Sequence, residues 1–225
     1  MTTSLEYIGH SAFYLKIKSS GILIDPFISQ NPRAKFDKNS VITDILVTHG
    51  HADHLGDAIP ISREKQAKIT AIFELANYCA EKGAFVNGIN MGGKIDFEWG
   101  SARFLPAFHS SSTPDGVYAG MPASILIETA SANIYHAGDT CLNQEMKTVG
   151  EIYKPDIALL PVGSRFTMDI DEAVTAAKWL KVKKVIPMHY NTFDAINTDI
   201  SEFKTRLEKE GIEALILNPS ERIEF

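Results

Sequence analysis

The segment VTHGHADHLGD, residues 47–57, decides how the rest of the chain is interpreted. It places His49, His51, Asp53 and His54 within six positions, although the 225-residue chain has only seven histidines. Neutral imidazole and carboxylate groups suit borderline divalent metals such as zinc, and they also bind manganese and iron. Because one glycine separates His49 from His51, a loop or strand end can point both rings at one ion. Asp53 and His54 are adjacent and point in different directions, which favours a second ion.

Composition narrows the class of protein. A chain with 44% hydrophobic and 22% charged residues is ordinary for a globular protein, and we predict a single domain over residues 1–225. The net charge of −6 and the lack of a Lys/Arg-rich run argue against a surface that coats nucleic acid. Cys79 and Cys141 are too few for a disulfide framework and lie outside any CxxC pair, so both are expected to be reduced thiols.

The amino-terminal residues do not resemble a targeting segment. The stretch MTTSLEYIGHSAFYLKI has no basic start followed by an apolar block, because Glu6, Gly9 and His10 interrupt it, and no signal peptide is expected. No apolar run approaches the roughly 20 residues that a membrane span needs. We therefore expect a cytoplasmic protein that does not associate with membranes.

Short apolar runs predict strands, and amphipathic stretches between them predict helices. Phe13, Leu15 and Ile17 alternate with Tyr14, Lys16 and Lys18 in a half-buried strand pattern. Buried strands are also predicted at 21–25, 44–48 and 156–163, a strand at 183–190 and a last strand at 213–218. Hairpins are predicted at 94–109 and 124–137. Helices are predicted at 74–83, directly after the capping pair formed by Asp169 and Glu172, and at 199–210. Strands that alternate with helices and hairpins indicate a layered α/β architecture whose sheet order stays open.

Four strand-like runs each end next to a potential metal ligand. His49, His109, Asp139 and His189 follow the runs ILVT, FLPAF, NIYHAG and KVIPM. In layered α/β folds the carboxyl ends of strands form the edge where loops gather ligands. With the rest of the HxHxDH segment they give seven candidate ligands, enough for two ions with Asp139 as the bridge. The alternative is that the cluster consists of surface or helix-capping polar residues, and HxHxDH is a far more specific arrangement than that requires.

The segment THGHADH resembles the signature of the metallo-β-lactamase superfamily. LIDPF upstream, and FHSSS (108–112), YHAGDT (135–140) and IPMHY (186–190) downstream, are similar to its remaining motifs in order. The likeness covers nearly the whole chain and is greatest to small metal-dependent hydrolases related to ascorbate-phosphate lactonase, which also begin with a GHS-like segment, here Gly9-His10-Ser11. It implies a four-layer αβ/βα sandwich of two mixed β-sheets flanked by helices, with the metals at one edge.

The resemblance also divides the candidate ligands between two metals. They are His49, His51 and His109 for the first metal, Asp53, His54 and His189 for the second, and Asp139 as the bridge. Two divalent ions are expected, with Zn²⁺ as the first choice, while Mn²⁺, Fe²⁺ and occupancy of a single site stay open. Two such ions can share a water and lower its pKa toward neutrality, which supplies a metal-activated hydroxide as the nucleophile.

The charge of the site indicates the kind of substrate. Two carboxylates and one hydroxide against two divalent cations leave a net positive centre, which favours an anionic substrate or transition state. We therefore expect a hydrolase acting on a small, anionic ester, lactone or phosphodiester. Asp53 and His10 are the candidate catalytic residues, and His10 would contact substrate or donate a proton to the leaving group unless its role is structural.

Other polar side chains near the motifs have weaker assignments. His136 is expected beside the ligands or in the core, and Asp25 is expected to brace the ligand loop rather than to bind metal. Cys141 is not expected to bind metal. Arg165 is a candidate to bind a phosphate or carboxylate, although exposed arginines usually have no such role. The polar loop 110–116 follows His109 and is expected either to shape the pocket or to be an ordinary turn-rich connection.

Other functions found among similar proteins fit the sequence less well. A metal-dependent nuclease acting on RNA or DNA is the first alternative, but superfamily nucleases add a nucleic-acid-binding insertion, and a strand and a helix occupy most of the segment between Asp139 and His189. Di-iron relatives that resemble flavoproteins carry Glu where this chain has His51, and hydrolases of the glyoxalase type carry an extra carboxyl-terminal helical region. A non-catalytic scaffold would lack ligands, whereas all seven positions are filled. No nucleic-acid partner is expected, and a homo-oligomer stays open.

Overall fold

The computed structural model describes residues 3–225 and builds them around two β-sheets. The strands of the first sheet are β1 (Thr3–Gly9), β2 (Ala12–Ile17), β3 (Ser20–Ile24), β4 (Asp44–Leu46), β5 (Lys68–Ile72), β6 (Val86–Ile89) and β14 (Arg222–Glu224). They lie in the order β14-β1-β2-β3-β4-β5-β6. The run from β3 to β6 is parallel, and β14, β1 and β2 pair antiparallel.

The second sheet is assembled in the same way from the later part of the chain. Its strands are β7 (Lys94–Phe97), β8 (Gly100–Pro106), β9 (Ala123–Glu128), β10 (Asn133–His136), β11 (Ile157–Pro161), β12 (Lys184–Met188) and β13 (Glu213–Ala214). They lie in the order β13-β12-β11-β10-β9-β8-β7, with antiparallel pairs from β7 to β10 and parallel pairs from β10 to β13. Both predicted hairpins are confirmed.

Helices cover the outer faces of both sheets. They are α1 (Ala52–Leu55), α2 (Ala58–Lys65), α3 (Phe73–Glu81), α4 (Glu145–Ile152), α5 (Ile170–Leu180) and α6 (Ile200–Lys209), with a 3-10 turn at Asp194–Ile196. Helices α2 and α3 pack on the first sheet, and α5 and α6 pack on the second. This arrangement confirms the predicted αβ/βα sandwich of two mixed sheets flanked by helices. Within residues 3–225, no helix is long and apolar enough to cross a membrane.

Strand β2 differs from the predicted half-buried pattern. Its alternating residues Phe13 and Leu15 join the core between the sheets, as expected. Tyr14 on the opposite face is also buried, because Phe36 packs on its ring and its hydroxyl donates to the Val41 carbonyl at 2.8 Å. The loop between β3 and β4 therefore covers a face that the sequence pattern had assigned to solvent.

The predicted last strand at 213–218 is wrong in two respects. Only Glu213–Ala214 pairs as a strand, and the chain ends instead with β14 on the other sheet. Leu215 still donates its N–H to Val185 at 2.8 Å, but the following apolar residues lie half-buried against the core as the chain crosses from one sheet to the other. The apolar run marks packing at the edge of the sandwich rather than a paired strand.

Strand direction explains why the ligand-bearing ends meet. In the second sheet β8, β10 and β12 all run the same way, because two antiparallel pairings separate β8 from β10. In the first sheet β1, β3 and β4 also share one direction. The residues that follow these six strands are His109, Asp139 and His189 in the second sheet, and His10, Asp25 and His49 in the first.

Candidate metal centre

Potential metal-binding atoms gather in three overlapping groups at this edge, and within each group they lie within 4.8 Å of one another. The first group is His49, His51 and His109, the second group is His10, Asp53, His54 and His189, and the bridging group is His49, His54 and Asp139. The structure thus brings all seven candidate ligands to one edge, and their assignment to two metals stays a prediction. It also adds His10, which the sequence had singled out only as a candidate catalytic residue.

The first group is formed by the turn that carries the HxHxDH segment. His49 Nε2 lies 3.0 Å from His51 Nδ1, and the His109 ring completes the triangle with centroids 5.4 and 5.2 Å from those two rings. Gly50 between them packs so closely on the loop after β8 that a Cβ there would lie 2.5 Å from the Ala119 Cβ. Only glycine fits this position without displacing that loop.

Hydrogen bonds to Asp25 and Thr48 set the tautomers of two ligand imidazoles. The Thr48 hydroxyl donates to Asp25 Oδ2 at 2.7 Å, so its lone pair can accept from His49 Nδ1 at 3.0 Å. His54 Nδ1 lies 2.7 Å from the same carboxylate oxygen and donates to it. In both rings Nδ1 therefore carries a proton, and Nε2 is the nitrogen that faces the centre of the cluster.

Unsatisfied polar atoms show that this set of residues fits a cation. Within the described part of the chain, His54 Nε2 and Asp139 Oδ1 are buried without a hydrogen-bond partner, although they lie only 3.3 Å apart. His136 is equally buried, but its Nε2 contacts the Ser11 carbonyl at 3.0 Å and its Nδ1 accepts from Gly138 at 3.1 Å. Buried polar atoms are normally paired, so the orphaned pair indicates a ligand, whereas His136 is a satisfied core histidine.

Burial controls the charge of the first group. It lowers the pKa of His49 well below its ordinary value, and it also lowers the pKa values of His51 and His109. All three rings are therefore neutral at neutral pH. Neutral imidazole is the form that binds a metal ion.

Opposite charges dominate around Asp139. Burial alone would raise the pKa of this carboxyl, but the His189 and His54 imidazoles hold it well below its ordinary value. Burial would likewise lower the pKa of both imidazoles, yet Asp139 outweighs it and raises the pKa of His189 to about 9 and that of His54 well above its ordinary value. The site without metal therefore carries protons that a cation would displace.

Asp53 is the member of the second group that faces solvent. Its side chain is 31% exposed, whereas His10 beside it is completely buried. The His10 Nε2 lies 3.1 Å from Asp53 Oδ2, and its Nδ1 lies 3.0 Å from the Thr192 hydroxyl. Burial lowers the pKa of His10 to about 4, which leaves a neutral ring. Because His10 is buried behind Asp53, this geometry favours a role for His10 that acts through Asp53 over direct contact between His10 and substrate.

The remaining candidates lie around this cluster without joining it. Asp25 is buried below the motif and braces it, as predicted, by accepting from the Thr48 N–H at 2.8 Å. Arg165 is exposed on the loop after β11, with its guanidinium carbon 5.6 Å from the Phe166 ring. Cys141 is exposed and belongs to none of the three groups found within residues 3–225.

Three hydroxyl side chains around the candidate ligands and His10 were not individually predicted from the sequence, although Ser111 belongs to the polar loop 110–116. Thr48 fixes the His49 tautomer, Thr192 contacts His10, and Ser111 accepts from the Gly50 N–H at 3.1 Å. Thr48 and Ser111 lie one and two residues from the candidate ligands His49 and His109, and Thr192 lies opposite His10 in the fold. Thr48 had a detectable signal, because the second nitrogen of a ligating histidine needs a partner and Thr48 precedes the first one.

Comparison with known proteins places the chain in a family. Residues 21–190 match the family model described as the beta-lactamase superfamily domain. The chain is 43% identical to a UPF0173 metal-dependent hydrolase of Methanosarcina mazei, covering 98% of each, and 44% identical to one of Thermus thermophilus, covering 96% of each. The structure of Igni18, a metallo hydrolase from Ignicoccus hospitalis, matches with a TM-score of 0.91 and 39% identity, covering 100% of this chain and 99% of that one. This chain therefore belongs to the β-lactamase superfamily and, within it, to the UPF0173 metal-dependent hydrolases.

Proposed function

We propose that this chain hydrolyses a small anionic ester, lactone or phosphodiester with two divalent metal ions. The observation that carries the proposal is the convergence of seven ligand side chains at one edge of the sandwich, where the buried ligand atoms of His54 and Asp139 lack partners among the described residues. His49, His51 and His109 would hold one ion, and Asp53, His54 and His189 would hold the other. Asp139, which lies beside both His49 and His54, would be shared by the two sites.

Zinc is the proposed metal. Three imidazoles with an open position suit a catalytic Zn²⁺ ion, and the mixed carboxylate and imidazole donors of the second group suit Zn²⁺, Mn²⁺ and Fe²⁺ alike. Elemental analysis of the purified protein measures both identity and count, with two ions per chain as the expected result.

Bound ions of this kind supply Lewis acidity and generate a nucleophile from water near neutral pH. The chain orients the ligands for this chemistry, because the Asp25 carboxylate and the Thr48 hydroxyl hold two imidazoles with Nε2 free. His51, Asp53 and His109 are the partly exposed members of the cluster. Substrate therefore approaches from their side.

An anionic substrate follows from the charge balance. Asp53 and Asp139 supply two negative charges against the four positive charges of two divalent ions, so the centre attracts an anion. Arg165, exposed beyond β11, is a candidate second contact for a phosphate or carboxylate. A small molecule rather than a nucleic acid fits the net charge of −6. The cytoplasmic location and a homo-oligomeric state stay predictions.

The test is hydrolysis by metal-free and metal-loaded protein. Protein stripped with a chelator and then reloaded with Zn²⁺ or Mn²⁺ is assayed on an aryl phosphodiester, a lactone, a thioester and labelled RNA. We expect hydrolysis of a small substrate that appears only after reloading. Equal rates with and without metal would refute the proposal, and preferential RNA cleavage would favour a nuclease.

A matched pair of variants controls for nonspecific effects. Asp53→Asn removes a proposed ligand and is expected to abolish metal-dependent turnover. Asp96→Asn removes an exposed carboxylate on β7, outside all three groups, and is expected to leave turnover unchanged.

A further inference from the structure

We propose that His10 is a positioning residue that holds the Asp53 carboxylate for the second metal, rather than a ligand or a catalytic residue itself. The inference rests on the proposed function of the site. The contact that carries it is the one between His10 Nε2 and Asp53 Oδ2, which are 3.1 Å apart. An N–H donated to Oδ2 leaves the other carboxylate oxygen available to a cation.

The carboxylate sets the polarity of this contact, because an ionised carboxylate can only accept, and the ring proton is therefore on Nε2. Nδ1 is left as an acceptor for the Thr192 hydroxyl, which lies 3.0 Å from it and 3.4 Å from the Tyr190 carbonyl. The series of hydrogen bonds thus runs from Thr192 through His10 to Asp53. Asp25 orients the His54 imidazole through a buried hydrogen bond in the same way, whereas His10 orients a carboxylate.

The His10 ring is rigidly held. It packs edge-on against the neighbouring rings of Phe27 and Phe193, with both centroids at 5.7 Å, and its centroid lies 4.1 Å from that of the His189 ring. Its carbonyl accepts from the His189 N–H at 2.9 Å and from the Tyr7 hydroxyl at 3.2 Å. These contacts lock the end of β1 to the end of β12.

Asp53 needs such a partner more than the other proposed ligands of the second ion do. His54, Asp139 and His189 are almost fully buried and are held by packing, whereas Asp53 is 31% exposed. An exposed carboxylate on a short helix is free to rotate toward water. A buried donor on one of its oxygens restricts that rotation.

The backbone at His10 adopts an unusual conformation. Its φ is +60°, in the left-handed region that residues other than glycine rarely adopt. The conformation turns the chain sharply after β1, and His189 at the end of β12 has a similar φ of +54°. Two non-glycine residues in this conformation meet where the two sheets present their ligands.

The test compares two substitutions at one position. In His10→Gln the side-chain amide can donate from about the place of Nε2 but is a poor metal ligand, whereas His10→Leu removes the donor. Each full-length protein is titrated with Co²⁺, and the visible spectrum and a chelator competition report the two sites separately. We expect His10→Leu to bind the first ion as wild type does and the second about 10- to 100-fold more weakly. We expect His10→Gln to keep both.

Other outcomes overturn the inference. Loss of the second ion from both variants would make His10 a ligand, and retention by both would make it irrelevant to metal binding. A wild-type protein that binds no metal would refute the proposed function, and the positioning role would fall with it.

A second pair of variants covers the case in which His10→Leu fails to fold. Thr192→Val removes the hydroxyl that contacts Nδ1 and is expected to weaken the second ion, and Thr192→Ser is expected to restore it. Equal Co²⁺ affinity in these two variants and wild type would contradict the proposed hydrogen-bond series from Thr192 through His10 to Asp53. ¹⁵N NMR of the loaded protein is expected to show the His10 proton on Nε2, and a proton on Nδ1 would contradict it.

Discussion

Asp25 Oδ2 lies 2.7 Å from Nδ1 of His54, and both side chains are completely buried. The pair joins the end of β3 to helix α1 and fixes the ring so that Nε2 faces Asp139. The same carboxylate accepts from the Thr48 hydroxyl, so one buried charge organises two of the candidate ligands.

Asp25→Asn is expected to weaken metal binding. The substitution keeps the size of the side chain but replaces one of two accepting oxygens with an NH2 group, so the three donors that now bond to Asp25 cannot all keep their partner. Loss of such a partner costs about 10- to 100-fold in metal affinity. Competition with a chromophoric chelator measures it, and Asp96→Asn is the control. Unchanged affinity in a folded Asp25→Asn protein would contradict the orienting role.

Gly50→Ala is expected to destabilise the ligand turn. The new Cβ would lie 2.5 Å from the Ala119 Cβ, and relief of that overlap costs about 1–3 kcal/mol. The free energy of unfolding in urea measures the effect. The double variant Gly50→Ala with Ala119→Gly is expected to recover part of the loss, and strict additivity of the two changes would show that the contact is not the cause.

The amino terminus of α5 offers a test away from the metal cluster. Asp169 Oδ1 accepts from the Glu172 N–H at 2.9 Å, and Glu172 Oε2 accepts from the Asp169 N–H at 3.2 Å, which is a complete capping box. Asp169→Ala is expected to cost about 1 kcal/mol of unfolding free energy, and Asp169→Ser much less. Metal affinity is expected to stay unchanged in both variants. Equal stability of the alanine and serine variants would argue against the cap.

The two cysteines are expected to react very differently. Burial raises the pKa of Cys79 to about 12, so at pH 8 this thiol is almost entirely protonated and unreactive. Cys141 is exposed. A chromogenic disulfide reagent is expected to modify one thiol per native chain and two after unfolding, and Cys141→Ser is expected to remove the native reaction. Rapid modification of native Cys79 would show that α3 opens far more easily than its packing indicates.

The convergence of the candidate ligands was predictable because its signal is local in sequence. Four of them fall within six positions, and the other three follow apolar strands whose shared direction brings their ends together. The position of His10 beside Asp53 was not predictable in this way. Forty-three positions separate the two residues, and their contact depends on the pairing of β1 in the first sheet.

The carboxyl-terminal region shows why the strands were predicted less well there. β14 is only Arg222–Glu224, and such a short, charged segment has no alternating apolar pattern. Its place is set by backbone hydrogen bonds to β1, which only the folded sheet provides. The run at 213–218 gave the opposite error, because apolar residues that cover the edge of a core look like a strand.

Anomalous X-ray scattering from crystals of the metal-loaded protein tests the central claim most directly. Data collected at the absorption edge of the metal found by elemental analysis locate each ion independently of the protein model. We expect two peaks, one among His49, His51 and His109 and one among Asp53, His54 and His189, with Asp139 touching both. Peaks elsewhere on the surface, or a fully loaded protein with none of its metal in this cluster, would contradict it.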